Sequence, residues 1–391
     1  MTSVYLISGM RTSMGGFQGD LSSLTAPQLG GIAIKSAIVK AGLNVDDIDE
    51  TVMGNVLSAG VGQAPARQAS LHGGIPNTVP CTTVSKVCGS GMKAVMIASD
   101  LIEIGRAGVV VAGGMESMSN APYLLAKARG GYRLGHGEIK DHMFLDGLED
   151  AYEHRLMGTY AEEAALHYQL SRDEQDAYAL ESLMRARRAT ESGHFEREIA
   201  PVAVMAKSGE SLVIDDEQPR RADPAKIPML RPAFSKNGTV TAANSSSISD
   251  GAAALVLAGE SVVKSRGLKP LARIVAQASY AGEPRWFTTA PVGAIRKVLE
   301  LSQWRSNEVD LFEINEAFAN VAMIAMRELR LPHEKVNING GACALGHPIG
   351  ASGARILVTL LNALKGSGGS KGVASLCIGG GEATAMAVEL L

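Results

Sequence analysis

Leu29, Ile32, Ala33 and Ala37 fall on one helical face, after Thr25-Ala26-Pro27 and before Gly42. The spacing predicts an amphipathic helix with a threonine cap and a proline in its first turn, where no N–H is needed. The acidic stretch Val45-Asp46-Asp47-Ile48-Asp49 follows, then an apolar run, Thr51-Val52-Met53-Gly54. The same order returns later in the chain. Thr289-Ala290-Pro291 opens a face of Ile295, Val298 and Leu299, which leads to Glu308-Val309-Asp310 and Leu311-Phe312-Glu313-Ile314. Cys88 stands 39 residues beyond Asp49, and His347 stands 37 beyond Asp310. Each precedes a further helical pattern: Met92, Val95, Met96 and Ile102 in one case, Ile356, Leu360 and Leu364 in the other. Each pattern gives way to an apolar strand ending in glycines, at 109–114 and 373–381. Strands alternating with helices predict α/β layers, and the echo predicts two similar halves.

Between the halves, over about residues 119–245, the texture changes. Charges cluster (Glu162, Glu163, Arg172, Asp173, Glu174, Arg185, Arg187, Arg188), and prolines break the chain at 219, 224, 228 and 232. This reads as an inserted helical and loop subdomain whose arginines form a solvated helix face. The expected division is 1–118 with 246–268, the insertion 119–245, and 269–391.

Composition narrows the function. The 391 residues suffice for two or three domains, and 46 % apolar with 20 % charged residues excludes a disordered chain. A net charge of −3 advertises neither a nucleic-acid nor a membrane partner. No apolar run approaches the roughly 18 residues of a membrane span. Four cysteines with no CxxC pair are no disulfide framework, so a reducing, cytoplasmic setting is expected.

Several motifs fall away on context. Gly89-Ser90-Gly91-Met92-Lys93-Ala94 matches a dinucleotide-binding turn, but no acidic residue closes the next strand. Gly368-Gly369-Ser370-Lys371-Gly372 lies where a helix ends, the reverse of a nucleophile elbow. Cys343, His347 and Cys377 lack the four ligands and paired spacing of structural zinc. Cys88 carries more. It sits at a helix N-terminus, whose dipole and free N–H groups favour thiolate, among small neighbours that leave sulfur approachable. His347 is its repeat partner, and Cys377 ends a strand against Gly379-Gly380-Gly381. Convergence of the three at one pocket would assemble nucleophile, base and N–H donors.

These residues resemble the thiolase family. The marks are Val87-Cys88-Gly89-Ser90-Gly91, Asn315-Glu316-Ala317-Phe318-Ala319, Gly340-Gly341-Ala342, Gly346-His347-Pro348-Ile349-Gly350-Ala351-Ser352-Gly353 and Cys377-Ile378-Gly379-Gly380-Gly381, with Arg11-Thr12 near the start. The likeness runs end to end and is strongest to the biosynthetic branch, the acetyl-CoA acetyltransferases. It implies an α/β fold of two similar halves, each a mixed five-stranded sheet layered with helices, plus an inserted loop subdomain that binds coenzyme A. It implies reversible, ping-pong condensation of two acetyl-CoA to acetoacetyl-CoA and CoA, with no metal or organic cofactor. Cys88 is then the nucleophile, and His347 deprotonates it and helps hold a thioester oxygen. Cys377 moves the α-proton. Asn315 positions a water beside His347 in one oxyanion hole, and the N–H groups of Cys88 and Gly379 form the other. Arg220, Ser246, Met157, Phe234, Ala317 and Phe318 stand where the family contacts coenzyme A, and Phe287 stands at the acyl pocket. A loop near 121–142 ties relatives into homotetramers. Leu156 replaces a usual His, Ala243 and Ser247 replace glycines, Phe287 replaces Met, and Cys343 replaces an aliphatic residue. The alternatives are a degradative 3-ketoacyl-CoA thiolase of broader chain length and a non-catalytic acyl-CoA-binding protein.

Overall fold

The computed structural model describes residues 2–206 and 209–391. Strand β1 (Val4–Thr12) leads to α1 (Ala26–Ala41), β2 (Glu50–Gly54), α2 (Pro65–His72), β3 (Cys81–Val84), α3 (Ser90–Glu103) and β4 (Val109–Ser117). An insertion carrying α4 (Met157–His167) and α5 (Arg172–Glu191) follows, and β5 (Ser249–Gly259) completes the first sheet. Then come β6 (Ala272–Ala281), α6 (Ala290–Ser302), β7 (Leu311–Ile314), α7 (Ala319–Leu329), α8 (Ser352–Ser367), β8 (Lys371–Ile378) and β9 (Glu382–Leu390). Helices α1 and α6 begin after Thr25 and Thr289 with proline in the first turn. The Thr289 hydroxyl, however, donates to Trp286 O at 2.8 Å instead of capping a helical N–H.

Hydrogen bonds order the strands β3-β2-β4-β5-β1 in the first half and β7-β8-β9-β6 in the second. Strands β1 and β6 meet antiparallel at two residue pairs, Tyr5 with Arg273 and Leu6 with Ala272. The second sheet's fifth strand is reduced to one bridge between Phe312 and Val336. A side chain explains the shortening. Asn337 Oδ1 accepts from Ile314 N and its Nδ2 donates to Ile314 O, both at 2.8 Å, so one amide satisfies the edge that further strand would have paired.

Helix α8 packs on both sheets and on α3, which places these two helices between the sheets. Helices α1 and α2 cover the outer face of the first sheet, and α6, with α7 beside it, covers the second. The α8 sequence is buried all round its first turns, as an interior helix must be. Strand β4 does not end at Gly113-Gly114 but continues to Ser117. A Cβ at Gly113 would lie 2.0 Å from Ala253 O, and one at Gly114 2.0 Å from Gly350 O. The glycines serve close approach within the strand.

The insertion is knitted into the core. Ile199–Ala200 pairs parallel with Arg11 and Thr12 of β1. Buried Arg11 donates to Glu198 Oε1 at 2.6 Å and to both Asp216 oxygens at 2.7 and 2.9 Å. Removing one partner from such a network strands a buried charge, at about 3–5 kcal/mol. The α5 arginines are mostly not a solvated face. Arg172 donates to Leu230 O at 2.8 Å, Arg185 to Val336 O at 2.7 Å and Arg187 to Ala222 O at 2.6 Å, while the Arg188 side chain stays 57 % exposed. Loop carbonyls without strand partners take these donors.

Candidate active site

Past β3, Val87 adopts a φ of 45°. For a β-branched residue this left-handed conformation costs about 1–3 kcal/mol. Ser90 clamps it: the hydroxyl accepts from Lys86 N at 2.8 Å and donates to Val87 O at 2.6 Å. Cys88 follows and lines a pocket of about 370 Å³ together with His347 and Gly379. An ion pair between Lys86 and Glu382 joins this turn to the one after β8, across the two halves.

His347 Nδ1 lies 2.6 Å from Ser352 Oγ, and that hydroxyl donates to Pro348 O at 3.0 Å. With its proton so committed, Ser352 accepts from Nδ1–H, and Nε2 is left unprotonated, with Asn315 Nδ2 3.4 Å away. Burial, helped by the Arg355 cation, lowers the imidazole pKa to about 3, so the ring is neutral. Burial drives the Cys88 thiol up to about 11 against the pull of the Gly379 N–H and its own N–H. The helix N-terminus therefore does not leave Cys88 a resting thiolate, because desolvation outweighs it. Cys377 is buried among Tyr160, Phe287, Phe318 and Val321. Its thiol lies well above the ordinary range through burial and then through the nearness of Cys88. The two sulfurs are thus within electrostatic reach.

Gly380 and Gly381 have φ of 93° and 85°. A Cβ on Gly381 would sit 2.7 Å from the carbonyl oxygens of Gly282 and Glu283. The turn needs both glycines and aims Gly379 N–H at Cys88. Asn315 follows β7, with Nδ2 3.4 Å from Nε2 and 3.5 Å from Nδ1 of His347. The pocket walls are apolar. Phe318 stands edge-on to Phe234 at 5.9 Å and to Phe287 at 6.2 Å between ring centroids. Met157, Ser246 and Ala317 complete the lining, and Ser246 Oγ donates to Ala317 O at 3.0 Å.

The family profile "Thiolase, N-terminal domain" matches residues 4–261, and "Thiolase, C-terminal domain" matches 268–390. The chain belongs to the thiolase family. Acetyl-CoA acetyltransferase 2 of Arabidopsis thaliana is 52 % identical over 391 residues, covering 99 % of this chain and 97 % of that one. The crystal structure of the Acat5 thiolase from Ascaris suum in complex with coenzyme A superposes with a TM-score of 0.94 at 44 % identity, covering all of both chains. That of Bacillus anthracis acetyl-CoA acetyltransferase gives 0.97 at 42 %, covering 100 % of this chain and 99 % of that one.

Within this thiolase, Cys88, His347, Gly379, Met157, Phe234, Ser246, Phe287, Ala317 and Phe318 share the pocket wall. Cys377 lies buried behind it and Asn315 against His347. Arg220 stands apart. It donates to Asp20 Oδ2 at 2.6 Å over a different cleft, beside Ser211 and Val213. Leu156 and Ser247 line the pocket, whereas Ala243 and Cys343 open on a neighbouring cavity of about 240 Å³. Sequence reasoning missed Ser352, Arg355 and Glu116. Glu116 accepts from Asn55 Nδ2 (2.7 Å), Val56 N (3.1 Å), Leu57 N (3.1 Å) and Gly350 N (2.9 Å), so it fastens the His347 loop to the first half. Its one sequence signal was a carboxylate inside an apolar strand. Ser352 lies inside the His347 motif and Arg355 two residues past its end, so sequence proximity to His347 was their signal.

Proposed function

We propose that this chain is an acetyl-CoA C-acetyltransferase, which joins two acetyl-CoA into acetoacetyl-CoA and CoA and runs the reaction in reverse. The observation that carries the reading is a neutral thiol, a neutral imidazole with an unprotonated Nε2 and an inward N–H on one apolar pocket. Cys88 Sγ attacks the thioester carbonyl as its proton passes to His347 Nε2. The N–H groups of Cys88 and Gly379 hold the tetrahedral oxyanion, each such donor being worth about 10²–10³ in rate. CoA leaves as thiolate and takes the proton of Cys377, so acetyl-Cys88, an imidazolium at His347 and a Cys377 thiolate remain. A second acetyl-CoA enters, and the Cys377 thiolate takes its α-proton. Asn315, through a water beside His347, stabilises the enolate oxygen. The enolate carbon attacks acetyl-Cys88, the carbon–sulfur bond breaks, and Cys88 recovers its proton from His347. The substrate carbonyl stores the charge throughout, so the chemistry calls for no metal or organic cofactor, with coenzyme A serving as substrate and product.

The insertion is the proposed coenzyme A-binding subdomain between the halves 1–118 with 246–268 and 269–391. Arg220 is assigned to the nucleotide end of coenzyme A, at the cleft beside Asp20. Leu134 is 98 % exposed on an arm that also exposes Leu125, Tyr132 and Ile139, which supports assembly as a homotetramer. Four unbridged cysteines support a reducing, cytoplasmic setting, and no described helix is long and apolar enough to cross a membrane. Brief exposure to acetyl-CoA followed by peptide mass spectrometry is expected to find the acetyl group on the Cys88 peptide, absent in Cys88→Ala. An unmodified Cys88, or a clear preference for thiolysis of long-chain 3-ketoacyl-CoA over acetoacetyl-CoA, would reverse the assignment.

A further inference from the structure

We infer that Arg355 is a positioning residue that locks the side-chain amide of Asn315 with its NH₂ group toward His347. The inference rests on the role proposed for Asn315. Arg355 lies on α8 in the layer between the sheets and is 1 % exposed. One arm of its guanidinium, Nη1, donates to Glu313 Oε1 at 3.0 Å, and the other, Nη2, donates to Asn315 Oδ1 at 3.4 Å. Glu313 and Asn315 are two residues apart at the end of β7, the spacing that puts side chains on one face of a strand. A planar fork spans two such acceptors; a single ammonium does not.

An amide is nearly the same shape either way round, so packing alone does not choose its orientation. Flipped, Asn315 would set its NH₂ against guanidinium N–H groups and turn its oxygen toward His347. A donor would then become an acceptor where the enolate oxygen develops negative charge. The Arg355 fork forbids this, and Glu313 Oε1, accepting its other arm at 3.0 Å, holds the fork in place.

The test is Arg355→Lys, which keeps a cation for Glu313 and gives up the second arm. The melting temperature and the KM for acetoacetyl-CoA are expected to stay near native values. The kcat is expected to fall about 10- to 100-fold, short of the loss of a whole donor. Acetylation of Cys88, which uses the other oxyanion hole, is expected to stay within about twofold, and so is the effect of Arg355→Lys on kcat when Asn315→Ala is already present. A native kcat in Arg355→Lys overturns the inference, as does an equal loss in the Asn315→Ala background. Should Arg355→Lys fail to fold, Glu313→Gln with Arg355→Met removes both charges and is read by kcat alone, in the native and the Asn315→Ala backgrounds, because loss of the Arg355 cation also acts on His347. Asn315→Ala with an unchanged kcat is a different failure: it refutes the role of Asn315 itself.

Discussion

Ser90→Ala removes the clamp on the strained turn before Cys88. Two hydrogen bonds are lost, to Lys86 N and Val87 O. At about 1 kcal/mol each their sum is about 2 kcal/mol. The left-handed Val87 stores about 1–3 kcal/mol, so the clamp and the strain it opposes are of similar size. Without the clamp the turn relaxes toward negative φ and carries Cys88 off its line of attack. A misplacement of about 1 Å typically costs on the order of 100-fold. The assay is quenched acetylation by acetyl-CoA, following the Cys88 peptide by mass, with urea unfolding in parallel. Ser90→Ala is expected to acetylate about 100-fold more slowly and to lose about 1–3 kcal/mol of stability. Adding Val87→Gly supplies a residue that takes a φ of 45° without strain, and acetylation is expected to recover most of the loss. Native acetylation in Ser90→Ala, or a double variant as slow as the single one, would show that the strain has no bearing on the nucleophile.

A Cβ added at Gly158 would lie 2.4 Å from ring carbons of Phe234. Gly158→Ala should therefore displace that ring at about 1–3 kcal/mol and raise the KM for acetyl-CoA about tenfold with little change in kcat; an unchanged KM would count against Phe234 as a pocket wall. The folded-state pKa of His347, about 3, lies below its ordinary 6.5. Between those values the unfolded chain binds a proton that the native state does not, so this contribution to stability is lost as pH falls below 6.5. From pH 6.5 to pH 5 it amounts to about 2 kcal/mol. Urea unfolding of His347→Asn should show a correspondingly shallower loss over that interval, and parallel curves would refute a buried neutral imidazole.

The periodic parts of the fold were legible because α1, α3, α6 and α8 bury apolar faces that recur in sequence and the strands between them are continuous apolar runs. The second sheet's lost edge strand was not legible, since Asn337 does a strand's hydrogen bonding from one side chain. Nor were the arginines of α5, whose acceptors are loop carbonyls far along the chain. At the site, family motifs marked the residues with reactive atoms. They were silent about protonation, which burial decides: the helix terminus at Cys88 pointed to thiolate, and desolvation reverses it. Support residues such as Glu116 act through contacts between distant loops that no local pattern records.

Strand β1 pairs along its length with β5, beginning at Val4 opposite Gly259. During synthesis β1 therefore waits for its long partner, about 250 residues downstream. At about 5–20 residues per second that delay is on the order of 10 to 50 s. Throughout it Val4, Leu6 and Ile7, all buried in the finished sheet, have only the earlier helices α1 and α3 to pack against and no strand beside them. The nascent first half is thus a natural client for holding chaperones, and a stop codon anywhere before β5 would leave the central strand with at most the short Ile199–Ala200 partner rather than a smaller working domain.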